Sequence, residues 1–263
     1  MISRLALRAV ALGYLALLLV FPVAMVFRKA FEEGAGTAWR AVTNPAALHA
    51  LWLTLLATAI AVVVNTLFGI LCAIVLVRHR FPGRGLLNAI LDLPLAISPV
   101  VVGLALYTLY GQGSPVGDWL LAHGIKIIFS VPGIVLATIF ISLPFVVREV
   151  MPVLQEIGTE QEQAAATLGA SPTQTFLLVT LPAIRQGVAY GVVLTTARAI
   201  GEFGAVSVVS GRISGLTETM TVYVQDRFQN FDLAGAYAAS VVLALIAVAT
   251  LLLTNAFKPE EER

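Results

Sequence analysis

Long apolar runs, separated by short polar segments, follow one another along almost the whole chain. A helix needs about 20 mostly apolar residues to cross the hydrocarbon core of a bilayer. Six runs are long enough, with approximate bounds 5–27, 48–77, 86–110, 127–150, 184–210 and 233–257. The pattern predicts an all-α membrane protein with six transmembrane helices, and we interpret residues 1–263 as a single transmembrane domain.

The first apolar run could be mistaken for a signal peptide, because the basic residues Arg4 and Arg8 stand at its start. However, the run is longer than the apolar core of a signal peptide, and no small-residue cleavage site follows before Arg28 and Lys29. We therefore interpret it as an uncleaved span.

Composition agrees with a membrane protein. Of the 263 residues, 59% are apolar and only 12% are charged, and the mean hydropathy is +0.91. The net charge of +1 argues against a nucleic-acid partner. Cys72 is the single cysteine, which excludes a disulfide or a thiolate metal cluster built within this chain.

The basic residues near the span ends predict the orientation. One side receives Arg4, Arg8, Arg78, Arg80, Arg84, Arg148, Arg185, Lys258 and Arg263, and the other receives Arg28, Lys29, Arg40, Lys126, Arg212 and Arg227. The larger group includes the short basic loop RHRFPGRG at 78–85, and such loops face the cytoplasm. We therefore expect both termini in the cytoplasm, with segments 28–47, 111–126 and 211–232 outside.

One polar, helix-forming segment, EQEQAAATLGASPTQTFLLVTLP at 160–182, stands out between spans four and five. The predicted orientation places it in the cytoplasm. Thr159 and Glu162 have the spacing of a capping box, and Glu160 and Glu162 suit the positive end of a helix dipole. The segment therefore predicts a short helix that begins at about residue 160.

The same helix has a narrow apolar face and a clear end. Ala164, Ala165 and Leu168 recur at helical spacing, and Gly169 provides the left-handed conformation that ends a helix. Ser171 and Pro172 then fit the N-cap and first turn of a second helix, which carries Phe176, Leu177 and Val179. The pattern fits either a docking site for an intracellular partner or an amphipathic connector on the lipid surface.

The spacing within this segment resembles the EAA loop of permease subunits of ATP-binding-cassette importers. That loop reads Glu, Ala, Ala, three residues, Gly, nine residues, an aliphatic residue, one residue, Leu and Pro. Here the Glu position holds Gln163, whereas Ala164, Ala165, Gly169 and the run Val179 to Pro182 match. The resemblance implies the type I importer fold and a cytoplasmic coupling helix, within a loop at about 156–182, that docks on an ATPase. The implied coupling residues are Glu160, Glu162, Gln163, Ala164, Ala165, Leu168 and Gly169.

Other segments are similar to the W-type permeases of sulfate/thiosulfate importers. They are LDLPLAISPVVVG at 91–103, PGIVLATIF at 132–140, LPFVVREVMP at 143–152 and ARAIGEFGAVSVVSG at 197–211, followed by RISGLTETM. The resemblance implies a bacterial inner-membrane heterodimer with a T-type permease, two ATPase subunits and an extracytoplasmic sulfate-binding protein. The RAIGEFG portion is shared with molybdate and tungstate permeases, so that importer class is the alternative.

No enzymatic site is visible in the sequence. A phosphate-binding GxxxxGK[ST] loop is absent, and lysines occur only at 29, 126 and 258. His49, His79 and His123 lie far apart and form no metal-binding motif. We therefore expect a non-catalytic subunit without a cofactor or metal of its own, with ATP and Mg²⁺ bound by the partner ATPase.

Two charges in the predicted fifth span need a reason to be there, because a charge at the centre of a span costs about 3 kcal/mol on insertion scales. Arg198 and Glu202 are four residues apart, so on one helix they share a face and can pair. Gly187, Gly191 and Thr195 continue this face. The pair either fixes helix packing between two permease subunits, lends positive potential to the route of a dianion, or acts as a gate.

Hydroxyl groups are suitable donors for a transported oxyanion. Ser207, Ser210 and Ser98, the last in the proline-interrupted part of span three, are candidates for the translocation path or gate. Each also fits an ordinary hydroxyl bonded to the backbone. Asp92 reads as a solvated interface residue, and Pro144 and Pro152 predict a kink or the end of span four.

Two other functions fit the hydrophobic pattern alone. A proton-driven secondary anion transporter would use Glu202 as a proton relay, and a non-transporting assembly subunit of a membrane enzyme would transport nothing. Neither accounts for the spacing between Ala164 and Pro182.

Overall fold

A computed structural model describes residues 4–256, and no β-strand occurs in this part of the chain. Lys258 and Arg263, used above to predict orientation, lie outside it, as does Phe257 at the end of the sixth apolar run. The helices are α1 Arg4–Leu15, α2 Phe21–Ala30, α3 Ala35–Thr43, α4 Pro45–Arg78, α5 Arg84–Ala96, α6 Pro99–Tyr110, α7 Pro115–Ala122, α8 Val131–Glu156, α9 Glu160–Thr167, α10 Pro172–Thr175, α11 Leu181–Ile200, α12 Val206–Val209, α13 Met220–Gln229 and α14 Leu233–Ala256. π-helical turns at Ala16–Val20 and Phe176–Thr180 join α1 to α2 and α10 to α11.

Five of the described helical stretches are long and apolar enough to cross a membrane. They are Ala6–Ala30, Pro45–Arg78, Val131–Glu156, Pro172–Ile200 and Leu233–Thr250. A sixth span results if α5 and α6, which meet at an angle of 112°, are counted as one broken span. The six-span, all-helical prediction is confirmed, and span three is broken at 97–98, inside the part where prolines were predicted to interrupt it.

The boundaries predicted for span five are wrong at both ends. The spanning helix begins at Pro172, twelve residues before the predicted start, and ends at Ile200, ten residues before the predicted end. Gly201 and Gly204 lie in turns after that end. Hydropathy located the apolar segment but not the helix, because a polar first turn can be helical and an apolar segment that contains glycine can form a loop.

The centre of the described fold is the packing of α4 and α11 on α8. A Cβ atom at Gly69 of α4 would lie 2.8 Å from the Val146 Cβ, and one at Gly191 of α11 would lie 2.9 Å from the Val146 Cα. Any larger residue at these positions would clash with α8, so glycine is required. Close contact between small residues is a common way for helices to associate in a bilayer. Gly187 and Gly191 therefore pack on α8 of the same chain, and Thr195, in the same stripe, is fully buried.

Pro144 and Pro152 do not end span four, because α8 continues through both to Glu156.

The first span contributes little to the buried core. In its most hydropathic window, within Ala6–Ala30, no residue is buried, whereas more than half of the corresponding window of α8 is buried. An apolar helix with this exposure needs lipid or another subunit around it.

Candidate functional site

The predicted helix at residue 160 is present as α9, and Gly169 ends it as expected. Gly169 has φ +87°, and its amide donates to the Ala166 carbonyl. The Ala170 amide donates to the Ala165 carbonyl. These two bonds form a Schellman motif, the common termination that uses a left-handed glycine.

The capping box predicted for Thr159 and Glu162 is wrong. The Thr159 side chain caps no amide of α9, and its hydroxyl instead accepts a hydrogen bond from Gln163 Nε2 at 3.0 Å. Glu162 turns away from the helix terminus and pairs with Arg78, 84 residues earlier in the chain. Glu162 is therefore turned toward the spans and paired, whereas Gln163, at the Glu position of the resembled loop, is exposed.

A capping box does occur at the next helix, where Ser171 and Pro172 were predicted to begin it. The Ser171 hydroxyl accepts from the Gln174 amide, and the Gln174 side chain accepts from the Ser171 amide. The spacing Ser-x-x-Gln was the available sequence signal for this pair. The helix then runs through the π turn directly into α11, so Val179 and Pro182 belong to the spanning helix.

A groove with a volume of about 840 Å³ lies between α9 and the beginning of α11. Ala164, Ala165 and Leu168 line it from α9, and Leu178 and Val179 line it from the other helix. We call it the α9 groove. Leu168 is 88% exposed and Leu178 is 73% exposed, and no residue of α9 is buried. Exposed apolar side chains around a concave surface are typical of a protein docking site.

Arg198 and Glu202 form the predicted ion pair, with 2.7 Å between Nη1 and Oε2. Only 1% of the Glu202 side chain is exposed, against 29% for Arg198. However, the two residues do not share a helical face, because α11 ends at Ile200. The other Glu202 oxygen accepts from the Ala205 amide at 2.8 Å, and Thr221 donates to the Glu202 carbonyl. The pair therefore holds together the turn that follows α11.

This turn packs against the break in span three. A Cβ atom at Gly204 would lie 2.7 Å from the Pro99 Cβ, and one at Gly103 would lie 2.8 Å from the Ala205 carbonyl oxygen. The break in span three thus meets the turn that follows span five. Non-helical backbone next to a broken span is where substrate sites form in many transporters.

The three candidate hydroxyls have different surroundings. The Ser98 side chain is exposed at the break and makes no capping bond to α6. Ser207 donates to the Gly204 carbonyl, and the fully buried Ser210 hydroxyl accepts from the Arg212 amide. Ser207 and Ser210 therefore bond to backbone groups, the alternative considered for each of them.

Asp92 is paired rather than simply solvated. Its Oδ1 accepts from Arg148 Nε at 2.8 Å, and its Oδ2 contacts Arg148 Nη2. The pair links α5 to α8 across 56 residues of sequence. Sequence spacing carried no signal for it.

Glu218 is a second buried carboxylate that the sequence did not identify. It lies just before α13 and is 1% exposed. Burial raises the pKa of Glu218, and the nearby Asp226 adds to the increase, whereas a hydrogen bond from Ser214 and the charge of Arg227 oppose it. Among the described residues, no cluster of three or more His, Cys, Asp or Glu side chains is placed to hold a metal ion.

Comparison with known proteins identifies the family. Residues 65–262 match the family model described as a binding-protein-dependent transport system inner membrane component. The sulfate transport system permease protein CysW of Synechocystis sp. is 52% identical over 93% of this chain and 89% of its own length. CysW of Escherichia coli K12 is 48% identical over 91% and 82%, and CysT of that strain is 40% identical over 92% and 87%.

A solved structure has the same fold. It is titled as the crystal structure of a bacterial ABC transporter involved in the import of the acidic polysaccharide alginate. One of its chains superposes with a TM-score of 0.78, covering 95% of this chain and 92% of that chain, at 19% sequence identity. One broken span, the exposed helix α9 and these matches lead to one conclusion: the chain belongs to the family of inner membrane components of binding-protein-dependent transport systems, as a non-catalytic permease subunit of an ABC importer.

Proposed function

We propose that this chain is the W-type permease subunit of an ATP-driven importer for sulfate and thiosulfate. The observation that carries the proposal is the exposed α9 groove. Its helix α9 ends at a left-handed Gly169, and the residues of this segment have the spacing of a coupling loop. The names of the relatives support sulfate as the substrate, since a protein named as a sulfate transport system permease is 52% identical to this chain.

The proposed assembly contains a T-type permease, two ATPase subunits that bind ATP and Mg²⁺, and an extracytoplasmic sulfate-binding protein. The 40% identity to CysT supports a related permease as the second subunit. A structural neighbour was solved in complex with a periplasmic protein bound to its ligand, which supports a binding-protein partner. Both termini and α9 face the cytoplasm, and α3, α7 and α13 face the other side.

In this proposal the ATPase docks on the α9 groove. Ala164 and Ala165 allow close approach, Leu168 provides an exposed apolar anchor, and Gly169 sets where the helix ends. Glu160 and Gln163 are exposed on the same helix and lie at the rim of the contact. Interfaces of this kind have an apolar centre and a polar rim.

The translocation path runs past the place where the break in span three meets the turn after α11. Arg198 adds positive potential for a dianion, and its bond to Glu202 breaks and reforms as the gate moves between inward-open and outward-open states. Ser98 is an exposed donor along this path, while Ser207 and Ser210 fix the backbone of the gate. One positive side chain that can also pair with Glu202 suits transport, because the site must bind the anion weakly enough to release it.

Substrate competition tests this function. In a strain that lacks its own sulfate permeases, expression of the complete importer is expected to restore uptake of radiolabelled sulfate. Unlabelled thiosulfate should compete at concentrations similar to those of sulfate. Competition by molybdate at far lower concentration than by sulfate would contradict the proposal and favour a molybdate or tungstate importer.

A further inference from the structure

Arg78, the last residue of α4, contacts three other parts of the chain through its guanidinium group. Nη1 donates to the Leu154 carbonyl at 2.9 Å, and Nη2 donates to the Gly158 carbonyl at 2.6 Å. Nη2 also lies 3.1 Å from Glu162 Oε1, and Nε lies 3.1 Å from Glu162 Oε2. Only 12% of the Arg78 side chain is exposed. The group therefore joins the end of α4 to the end of α8 and to α9.

The Glu162 carboxylate extends this connection to the fifth span. Its Oε1 also accepts a hydrogen bond from Thr180 Oγ1 at 2.9 Å, and Thr180 is only 6% exposed. Thr180 is the last residue of the π turn that leads into α11. We call Arg78, Glu162 and Thr180 the Glu162 node, because one carboxylate receives bonds from both sides.

Among the described residues, few polar side-chain bonds other than those of Glu162 involve α9. The helix has eight residues, none of them buried, and isolated helices of this length are unstable in water. The other side-chain hydrogen bonds recorded for its residues are local, from Gln163 to Thr159 and from Thr167 to the Ala164 carbonyl. Among the described residues, the polar connections from α9 side chains to the spanning helices therefore pass through Glu162.

We propose that Glu162 is a positioning residue for coupling: it makes α9 move as one body with the ends of α4, α8 and α11. This inference rests on the proposed function, since α9 must receive a displacement from an ATPase. α9 thus turns Glu162 toward the spans, where it holds the helix, and presents Glu160 and the neutral Gln163 at the surface. Charge-assisted bonds suit this role because they are short, directional and stronger than neutral ones.

The contacts differ in how replaceable they are. Without Glu162, the Arg78 guanidinium still donates to the Leu154 and Gly158 carbonyls, so the end of α4 stays joined to the end of α8. Without the carboxylate, however, α9 loses its bonds to both Arg78 and Thr180. A substitution at position 162 therefore detaches α9 and leaves the contact between α4 and α8 in place.

The test uses the complete importer, with both permeases, the ATPase and the binding protein, reconstituted in lipid vesicles. Sulfate transported per ATP hydrolysed is measured for Glu162→Ala, Glu162→Gln and Thr180→Val. We expect Glu162→Ala to lower this ratio by at least about fivefold while ATP hydrolysis continues and the ATPase still copurifies. Glu162→Gln should be intermediate, because it keeps an acceptor for Thr180, and Thr180→Val should give a smaller loss.

The matched control is Glu156→Gln, which removes an exposed carboxylate at the end of α8. Its ratio should remain within about twofold of the unsubstituted complex, because exposed charges contribute little. An unchanged ratio in Glu162→Ala overturns the inference, and so does loss of the ATPase from the complex, which would make the role one of assembly. An unsubstituted complex that hydrolyses ATP without moving sulfate would overturn the proposed function itself.

Discussion

Replacing Gly169 with valine is expected to abolish sulfate uptake without preventing membrane insertion. A Cβ atom at this position would meet nothing within 4 Å, so the effect comes from the backbone and not from a steric clash. The φ of +87° disfavours any L-residue, by roughly 1–2 kcal/mol, and a β-branched residue most of all. The end of α9 would then unwind, and Leu168 would leave its place in the α9 groove.

The measurement is uptake of radiolabelled sulfate by cells with matched amounts of permease in the membrane. We expect Gly169→Val to lose at least about tenfold in rate, whereas Gly169→Asn keeps most activity because asparagine tolerates the left-handed region. Gly124→Val is the matched control, since Gly124 has φ +75°, equally open surroundings and the same hydrogen-bond pattern at the end of α7, in the segment predicted to lie outside. Normal uptake by the Gly169→Val variant, at a matched amount, would show that the end of α9 takes no part in coupling.

Removing Arg198 is expected to have the second large effect. Arg198→Ala leaves the Glu202 carboxylate buried without its cation, and breaking a buried pair in this way costs about 3–5 kcal/mol. Glu202→Ala should cost less, because Arg198 is partly exposed and can turn toward water. In thermal unfolding of the purified permease pair, the unfolding temperature should therefore be lowest for Arg198→Ala. It should be higher for Glu202→Ala and highest for the exposed control Arg40→Ala.

The double variant separates the proposed roles of this pair. Replacing both residues with alanine removes the unpaired charge, so stability should largely return. We expect uptake to remain low, because the path has lost its positive charge. Full recovery of uptake with stability would limit the pair to packing. An Arg198→Ala variant as stable as the Arg40→Ala control would contradict the buried ion pair.

The spanning helices could be predicted because a bilayer imposes a length on them. The apolar runs around Val146 and Leu53 had to be about 20 residues long, and α8 and α4 are found at those places. Gly169 was also predictable, since a left-handed helix end has a local signature. Local rules of this kind account for most of the fold and for the shape of the coupling helix.

Contacts between distant residues could not be predicted. Glu162 was placed in a capping box by local spacing, but Arg78, far away in sequence, offers a charged partner instead. The pair of Asp92 and Arg148 also joins residues far apart in sequence, so local spacing gave no sign of it. The end of α11 at Ile200 also escaped prediction, because hydropathy does not distinguish an apolar loop from an apolar helix. The break after Ala96 was predictable because prolines mark it.

The energy source is the central claim, and one measurement tests it most directly. Vesicles that contain the complete importer are given external binding protein and labelled sulfate, with either ATP at the ATPase side or an imposed proton gradient. The coupling-helix account predicts accumulation with ATP, unaffected by a protonophore, and none with the gradient alone. Accumulation driven by the gradient without ATP would contradict it and would favour a proton-driven transporter.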